Sequence, residues 1–368
     1  MSRFSSIKDN GKSSYCLSEE ELSRISEIIG RKRNIRLKKT KIFSGYSKFR
    51  NWPKYLNKNF RVVYSTRYGH SILGSSRDIL ESSFARIIEG KVQLVFTSPP
   101  FPLNRGKKYG NLKDESYKNW LRGYAQLLKK VLTPDGSIII EIGNVWESGL
   151  PVMSTVVMET LLEFKNAAGL YLCQEFIWYN PAKLPTPAHW VTITRSRVKD
   201  AFTRLWWLSP TPYPKSDNRR VLVPYSPAMI KLLKSKKYNA GIRPSEHRIS
   251  PTSFLKDNGG AIPPNVLFTD NCPESLIISS NTKNSDLYRR FCEISGLSLH
   301  PAKMPIGLAK FFISLCTSPG DIVLDPFGGS NTTGAASEEL GRKWISIEIN
   351  KDYAEAGQGH FRDVLIKN

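Results

Sequence analysis

Two hydrophobic rhythms alternate along this chain. VQLVFT (Val92 to Thr97) and SIIIEIG (137 to 143) are short, nearly continuous β-rich apolar runs, the pattern of strands buried on both faces. Between them Trp120, Tyr124, Leu127, Leu128 and Val131 recur at three- and four-residue spacing, which predicts a helix over about 117–132 with one apolar face. Pro134, Asp135 and Gly136 read as the turn that follows it. Strand, helix and strand in this order predict a unit of a parallel sheet, and so an α/β fold. The rhythm returns near the C-terminus as a helix, the strand DIVLD, a glycine loop, a second helix and the strand KWISIE. Between about 209 and 298, proline, serine and basic residues break it (SPTPYPKSDNRR, IRPSEHRIS, KDNGGAIPPN). That stretch reads as an inserted module.

The strand ends carry the chemistry. VQLVFT stops at Ser98, Pro99, Pro100 and Phe101; proline donates nothing to a sheet ladder and holds the residue before it extended. The carbonyls of Ser98 and Pro99 and the Ser98 hydroxyl are thereby free to accept hydrogen bonds, with Phe101 as a flat apolar face. A planar group bearing an amino substituent suits such a loop, although S-P-P alone is also an ordinary turn. Glu141 lies at the C-terminal edge of the next strand, where open α/β sheets bind ligands. After DIVLD, Gly328 and Gly329 allow a tight turn, Asn331 or Thr332 can cap the following helix, and Gly341 ends it. Glu348 then falls near the end of KWISIE, the place from which a carboxylate accepts both hydroxyls of a ribose. Neither G-x-G-x-x-G nor G-x-x-x-x-G-K-[ST] is present, which weakens dinucleotide and triphosphate readings. Asp325, just before the loop, suits a cationic tail better than a phosphate. A nucleoside with a positive tail, S-adenosylmethionine, meets both requirements.

Charge narrows the partner. Lys and Arg number 54 against 32 Asp and Glu, a formal net charge of +22 over 368 residues, which predicts salt-dependent binding to a polyanion, with nucleic acid foremost. From Arg31 to Arg61 every charged residue is basic and aromatic rings are interleaved, an arm suited to phosphate contacts. No apolar run approaches a membrane span and MSRFSSIKDN has no signal-peptide core. The scattered Cys16, Cys173, Cys272, Cys292 and Cys316 lack C-x-x-C spacing, and the histidines lack metal-ligand spacing. A reducing, cytoplasmic setting and no metal are expected.

Several longer words then converge: TSPPF, WYNPAKLPTPAHW (178 to 190), RVKD followed by WWLS, KDNGGAIPPN (256 to 265), HPAKMP (300 to 305) and DPFGGSNTTG. Over roughly residues 70 to 355 the chain resembles amino-group DNA methyltransferases of the permuted β class, in which the SPP motif precedes the cofactor motif, and most closely the PvuII-type cytosine-N4 methyltransferases. The resemblance implies a Rossmann-like sheet with helices on both faces, permuted motif order and an inserted target-recognition region. The implied division is a basic arm (1–61), a catalytic half (62–208), a target-recognition region (209–298) and a cofactor-binding half (299–368). Catalysis would fall to Ser98, Pro99, Pro100, Phe101 and Glu141. S-adenosylmethionine would be held by Asp325, Phe327, Gly328, Gly329, Ser330, Asn331, Thr332, Glu348, His300, Pro301 and Ser75. Double-stranded DNA would meet Arg243, His247, Arg248, Arg195 and Lys107, and a genetically linked restriction endonuclease would act on the same site without forming a stable complex. Where the family often has Gly-Asp near the start of the catalytic half, this chain has Gly74-Ser75, with Asp78 further on. Carbon-5 methylation would need a Pro-Cys nucleophile, yet Leu172 precedes Cys173 and Cys272 precedes its proline. An adenine-N6 methyltransferase and a non-catalytic DNA-binding protein on the same fold remain the alternatives.

Overall fold

The computed structural model describes residues 60–102, 112–268 and 281–361 with Trp52 and Leu56, and 281–286 through their backbone alone. All of them belong to one compact unit, Phe43–Asn368. In chain order the strands are β1 (Arg61–Ser65), β2 (Gly69–Leu73), β3 (Val92–Thr97), β4 (Leu132–Gly143), β5 (Tyr171–Tyr179), β6 (Phe202–Ser209), β7 (Gly241–Ile242), β8 (Arg248–Ile249), β9 (Val266–Phe268), β10 (Ile322–Asp325) and β11 (Lys343–Glu348). The helices are α1 (Ser76–Glu81), α2 (Ser83–Ile88), α3 (Asp114–Val131), α4 (Val156–Ala167), α5 (Pro227–Ser235), α6 (Asn281–Ser295), α7 (Ile306–Cys316), α8 (Thr332–Glu339) and α9 (Lys351–Ala356).

Nine strands form one sheet in the order β1-β2-β11-β10-β3-β4-β6-β5-β9, while β7 and β8 form a separate ribbon. The run from β2 to β4 is parallel, and β6 is antiparallel to both its neighbours. Because helices cover both faces, alternate residues of one strand enter opposite cores. Ile138, Ile140 and Ile142 of β4 and Ile322 and Leu324 of β10 pack beneath α1 to α4. Ile139 and Val323, the residues between, join Phe312 of α7 and Ala336 of α8. That is why these strands read as unbroken apolar runs.

Three sequence expectations change in detail. The helix begins earlier, at Asp114, with Asp114 and Glu115 in its first turn and Lys129 and Lys130 in its last, charges placed favourably for the helix dipole. The Pro134-Asp135-Gly136 turn is an irregularity inside β4: pairing to β3 jumps from Val92↔Leu132 to Leu94↔Ser137. Gln93 holds the bulged segment, its Nε2 donating to the Asp135 carbonyl at 3.2 Å and its Oε1 accepting from Thr133 at 3.0 Å. Parts of the expected module 209–298 pack into the body. Val221 and Val223 are buried, Arg220 Nη1 donates to the Thr317 carbonyl at 2.7 Å, and β9 pairs with β5. In α6, Tyr288 and Cys292 bury against Ala356. From Pro224 to Gly259, by contrast, no residue is buried, so that segment leaves the body of the fold.

The basic arm lies outside the described residues up to 59, Trp52 and Leu56 excepted. Those two and Phe60 pack into the core beneath α1. Trp52 is thereby buried in the core, with Phe60 packed against it. Among the described residues no helix is long and apolar enough to cross a membrane.

Candidate active site

The sheet order reverses between β10 and β3: from β3 the chain winds outward to β4, and from β10 it winds the other way to β11. A crevice opens at such a switch point beyond the C-terminal ends of the strands. Here it receives TSPPF from β3 and DPFGGS from β10 side by side. Asp325 joins the two. One carboxylate oxygen accepts from Thr97 Oγ1 at 2.7 Å and Phe327 N at 3.1 Å, the other from Thr333 Oγ1 at 2.6 Å. At 4 % exposure, Asp325 is foremost a latch between the halves, with little acceptor capacity left toward a ligand. Burial raises its pKa, against the lowering effect of Thr333 and Thr97.

The glycine loop follows from backbone need. A Cβ on Gly328 would stand 2.0 Å from Ser346 Oγ, and Gly329 has φ +51° with the His300 ring 3.0 Å from where its Cβ would be. Neither place admits a side chain without displacement. Asn331, also left-handed, caps α8: its Oδ1 accepts from Gly334 N at 3.1 Å and its Nδ2 donates to Tyr64 at 2.7 Å. Glu348 accepts from Gly329 N at 2.7 Å with one oxygen and from Asn350 N at 2.8 Å with the other. Both oxygens are fixed, and each keeps a further lone pair. Burial raises the pKa of this carboxyl, offset in part by those two amides.

These groups line one cleft of about 360 Å³. Ser98, Pro99, Pro100 and Phe101 line it together with Asp325, Phe327, Gly328, Gly329, Ser330, Thr332 and Glu348, and so do Ser75 and His300. Of the residues expected to bind a cofactor, Asn331 and Pro301 do not line it: the first is turned to its own helix and the second is exposed. Sequence reasoning missed Trp120, Tyr124, Ile349 and Tyr353, which do. The ring of Phe327 lies 5.4 Å from Trp120 and 5.1 Å from Tyr124, building an aromatic side wall. The helical spacing of Trp120 and Tyr124 was visible, but it looks the same whether a stripe ends in core or in a cleft.

The Ser98 loop rests on its neighbours. The β3–β4 ladder ends at Thr97↔Ile140, one residue short of Ser98, and the Phe101 ring packs within 2.8 Å of where a Gly143 Cβ would be. Glu141 is 5 % exposed; burial raises its pKa, while hydrogen bonds from Ser98 and Thr203 and the nearby Lys183 charge act the other way. The Thr203 contact is 3.3 Å. When Glu141 is ionised it accepts from the Ser98 hydroxyl, whose lone pairs are then presented to the cleft.

The expected DNA-contact residues lie elsewhere. Arg248 begins β8, and Arg243 and His247 lie in the turn between β7 and β8, where Arg243 N donates to the His247 carbonyl at 2.9 Å and Arg243 Nη2 donates to the Asn239 carbonyl at 2.8 Å. Arg195 is exposed at φ +52° in the segment between β5 and β6. None of the four lines the cleft; Lys107 lies outside the described residues. Among the described residues no His, Cys, Asp and Glu cluster could hold a metal ion.

Comparison with known proteins places this geometry. Residues 92–359 match the DNA methylase family of N6 and N4 methyltransferases. The type II methyltransferase M.PvuII of Proteus hauseri is 41% identical over 310 residues, 84% of this chain and 88% of that protein. A solved PvuII DNA methyltransferase (cytosine-N4-specific) superposes with a TM-score of 0.63 at 36% identity, covering 82% of this chain and 89% of that one. The DNA adenine methyltransferase YhdJ of Escherichia coli is 53% identical over 58 residues, 16% of this chain and 20% of that protein.

Proposed function

The chain belongs to the DNA methylase family, and from that membership we propose that it transfers a methyl group from S-adenosylmethionine to the exocyclic N4 of cytosine in duplex DNA. The observation that carries the reading is Ser98: it hydrogen-bonds buried Glu141, and it shares a cleft with Glu348 and the glycine loop.

The cleft fits the cofactor. Glu348, fixed through two backbone amides, would accept from the ribose hydroxyls; the Phe327 and Trp120 wall would enclose the adenine; Asp325 would reach the cationic tail through its remaining lone pair or a water. Bound there, S-adenosylmethionine supplies an electrophilic methyl on a sulfonium. The chain's own residues do the rest. Cytosine's amine is a poor nucleophile because its lone pair is delocalised into the ring. Ser98 Oγ and the Pro99 carbonyl would accept its two hydrogens and draw nitrogen toward tetrahedral geometry. Those bonds strengthen as positive charge develops on nitrogen, the differential stabilisation that raises rate. Phe101 would stack on the base, which must leave the duplex to reach the cleft. Glu141, behind Ser98, would hold the hydroxyl's orientation and take up the released proton through it.

The Gly74-Ser75 departure has a defined outcome. Ser75 lines the cleft, and its Oγ also accepts weakly from Asp78 N at 3.4 Å. Asp78 is exposed in the first turn of α1. Ser75→Ala is expected to cost about 0.5 to 1.5 kcal/mol of cofactor affinity, and Asp78→Ala less. Titration calorimetry with S-adenosylhomocysteine on both folded mutants decides it; a larger loss for Asp78→Ala would reverse the assignment.

Residues 224–259 would choose the DNA sequence, with Arg243, His247 and Arg248 as base or phosphate contacts. Their support is the buried-residue-free excursion that carries the ribbon. Exchange of this segment with that of a relative of different specificity is expected to move the methylated site, and an active chimera with the old site would refute the assignment. A restriction endonuclease reading the same sequence would complete a modification system, without a stable complex. The whole reading is tested by incubating duplex DNA with labelled cofactor and identifying nucleosides by mass spectrometry. N4-methylcytosine is expected; N6-methyladenine alone would transfer the activity to adenine, and no modified base would leave a binding protein.

A further inference from the structure

The segment between β5 and β6 combines a fixed base with an exposed apolar tip. From Pro181 to Lys199 it contains no acidic residue, while Lys183, Arg195, Arg197 and Lys199 are cationic. Its ends are tied together. Lys183 Nζ donates to Asp200 Oδ2 at 2.9 Å and to the Phe202 carbonyl at 3.1 Å, and Lys199 Nζ donates to the Pro181 carbonyl at 2.6 Å. Asn144 Nδ2 donates to Asp200 Oδ1 at 2.9 Å. Asn144 directly follows Gly143, the residue beneath the Phe101 ring, so the base of the segment stands beside the catalytic loop. Next to tethered Lys183, Leu184 is 76% exposed, and Pro185 holds it in extended geometry.

An isolated exposed leucine is ordinary; a leucine braced between a tethered lysine and a proline, beside the catalytic loop and in an acid-free segment, has a place prepared for it. A base drawn out of a duplex leaves a gap, and apolar side chains enter base steps of this kind while cations meet the flanking phosphates. On the premise of the DNA methyltransferase reading above, we infer that Leu184 enters the duplex and occupies the space vacated by the target cytosine. Ile193 and Val198, also exposed at 70% and 87%, are the rival candidates on the same segment. Leu184 has the longer reach than Val198, and it alone of the three adjoins both a tether and a proline.

The test compares single-turnover methylation of a matched duplex with the same duplex carrying an abasic position opposite the target cytosine. In the second substrate no pair has to be broken for the cytosine to leave the stack. Leu184→Ala is expected to slow the matched substrate roughly tenfold, equivalent to about 1.4 kcal/mol, and to leave the abasic substrate within about twofold of the wild-type rate. Val198→Ala and Ile193→Ala are expected to change neither, and an unchanged affinity for S-adenosylhomocysteine shows that each variant is folded. Equal slowing on both substrates, no slowing on the matched one, or the selective loss appearing in Val198→Ala or Ile193→Ala would overturn the inference. A wild-type enzyme that methylates neither duplex would instead overturn the catalytic reading, and this inference with it.

Discussion

Ser98→Ala lowers kcat by about 10²- to 10³-fold while affinity for S-adenosylmethionine stays within about twofold. The size follows from what the hydroxyl is asked to do. Its bond from the cytosine amine is weak in the ground state, where nitrogen is flat and its lone pair delocalised, and strong once nitrogen becomes tetrahedral and positive. Removing it therefore costs the transition state more than the bound substrate, which places the loss in turnover. The Oγ also occupies the donor position against Glu141. Its deletion leaves a buried carboxyl with Thr203 and Lys183 as the remaining groups that favour its charged form. Rapid-quench measurement with saturating cofactor separates the two effects. Equal losses in turnover and cofactor binding would make Ser98 a structural residue.

Glu348→Ala is expected to weaken cofactor binding by roughly tenfold to a hundredfold, the loss of a charged acceptor worth about 1.5 to 3 kcal/mol. The same carboxylate holds Gly329 N and Asn350 N, so alanine would also loosen the glycine loop. Glu348→Gln separates the contributions: its amide oxygen can keep one backbone bond, whereas its NH₂ group would face the amide donor on the other side. Calorimetry with S-adenosylhomocysteine on folded protein is the measurement. A dissociation constant unchanged in both variants would remove Glu348 from the site.

Much of the site was legible because its residues are forced by backbone chemistry. Two prolines after a buried strand, a pair of glycines between a strand and a helix, and a carboxylate at a strand end are local facts that a linear reading can find. The elements of the parallel sheet were legible for a similar reason: burial on both faces writes continuous apolar runs. What escaped depended on long-range packing. Trp120 and Tyr124 have the spacing of a core stripe and acquire a cleft only when Phe327 arrives from a distant loop. Asp325 was expected to face a ligand and lines the cleft, but its second task, accepting from Thr97, Phe327 N and Thr333, is not marked in the sequence. The proline- and serine-rich look of 209–298 hid Val221, Val223 and Leu267 in the core, because composition does not report which side chains of an irregular segment turn inward.

The placement of β3 beside β10 also sets a schedule for making the protein. Thr97 and Asp325 are separated by 228 positions, and β3, whose six residues are all buried, is flanked on one side by β10. At ribosomal rates of about 5 to 20 residues per second, VQLVFT waits roughly 10 to 50 s for that neighbour to be synthesised. Throughout that interval one edge of an apolar strand is open to pairing with another nascent chain. The arrangement that brings base and cofactor together therefore leaves the chain dependent, during synthesis, on whatever shields that edge.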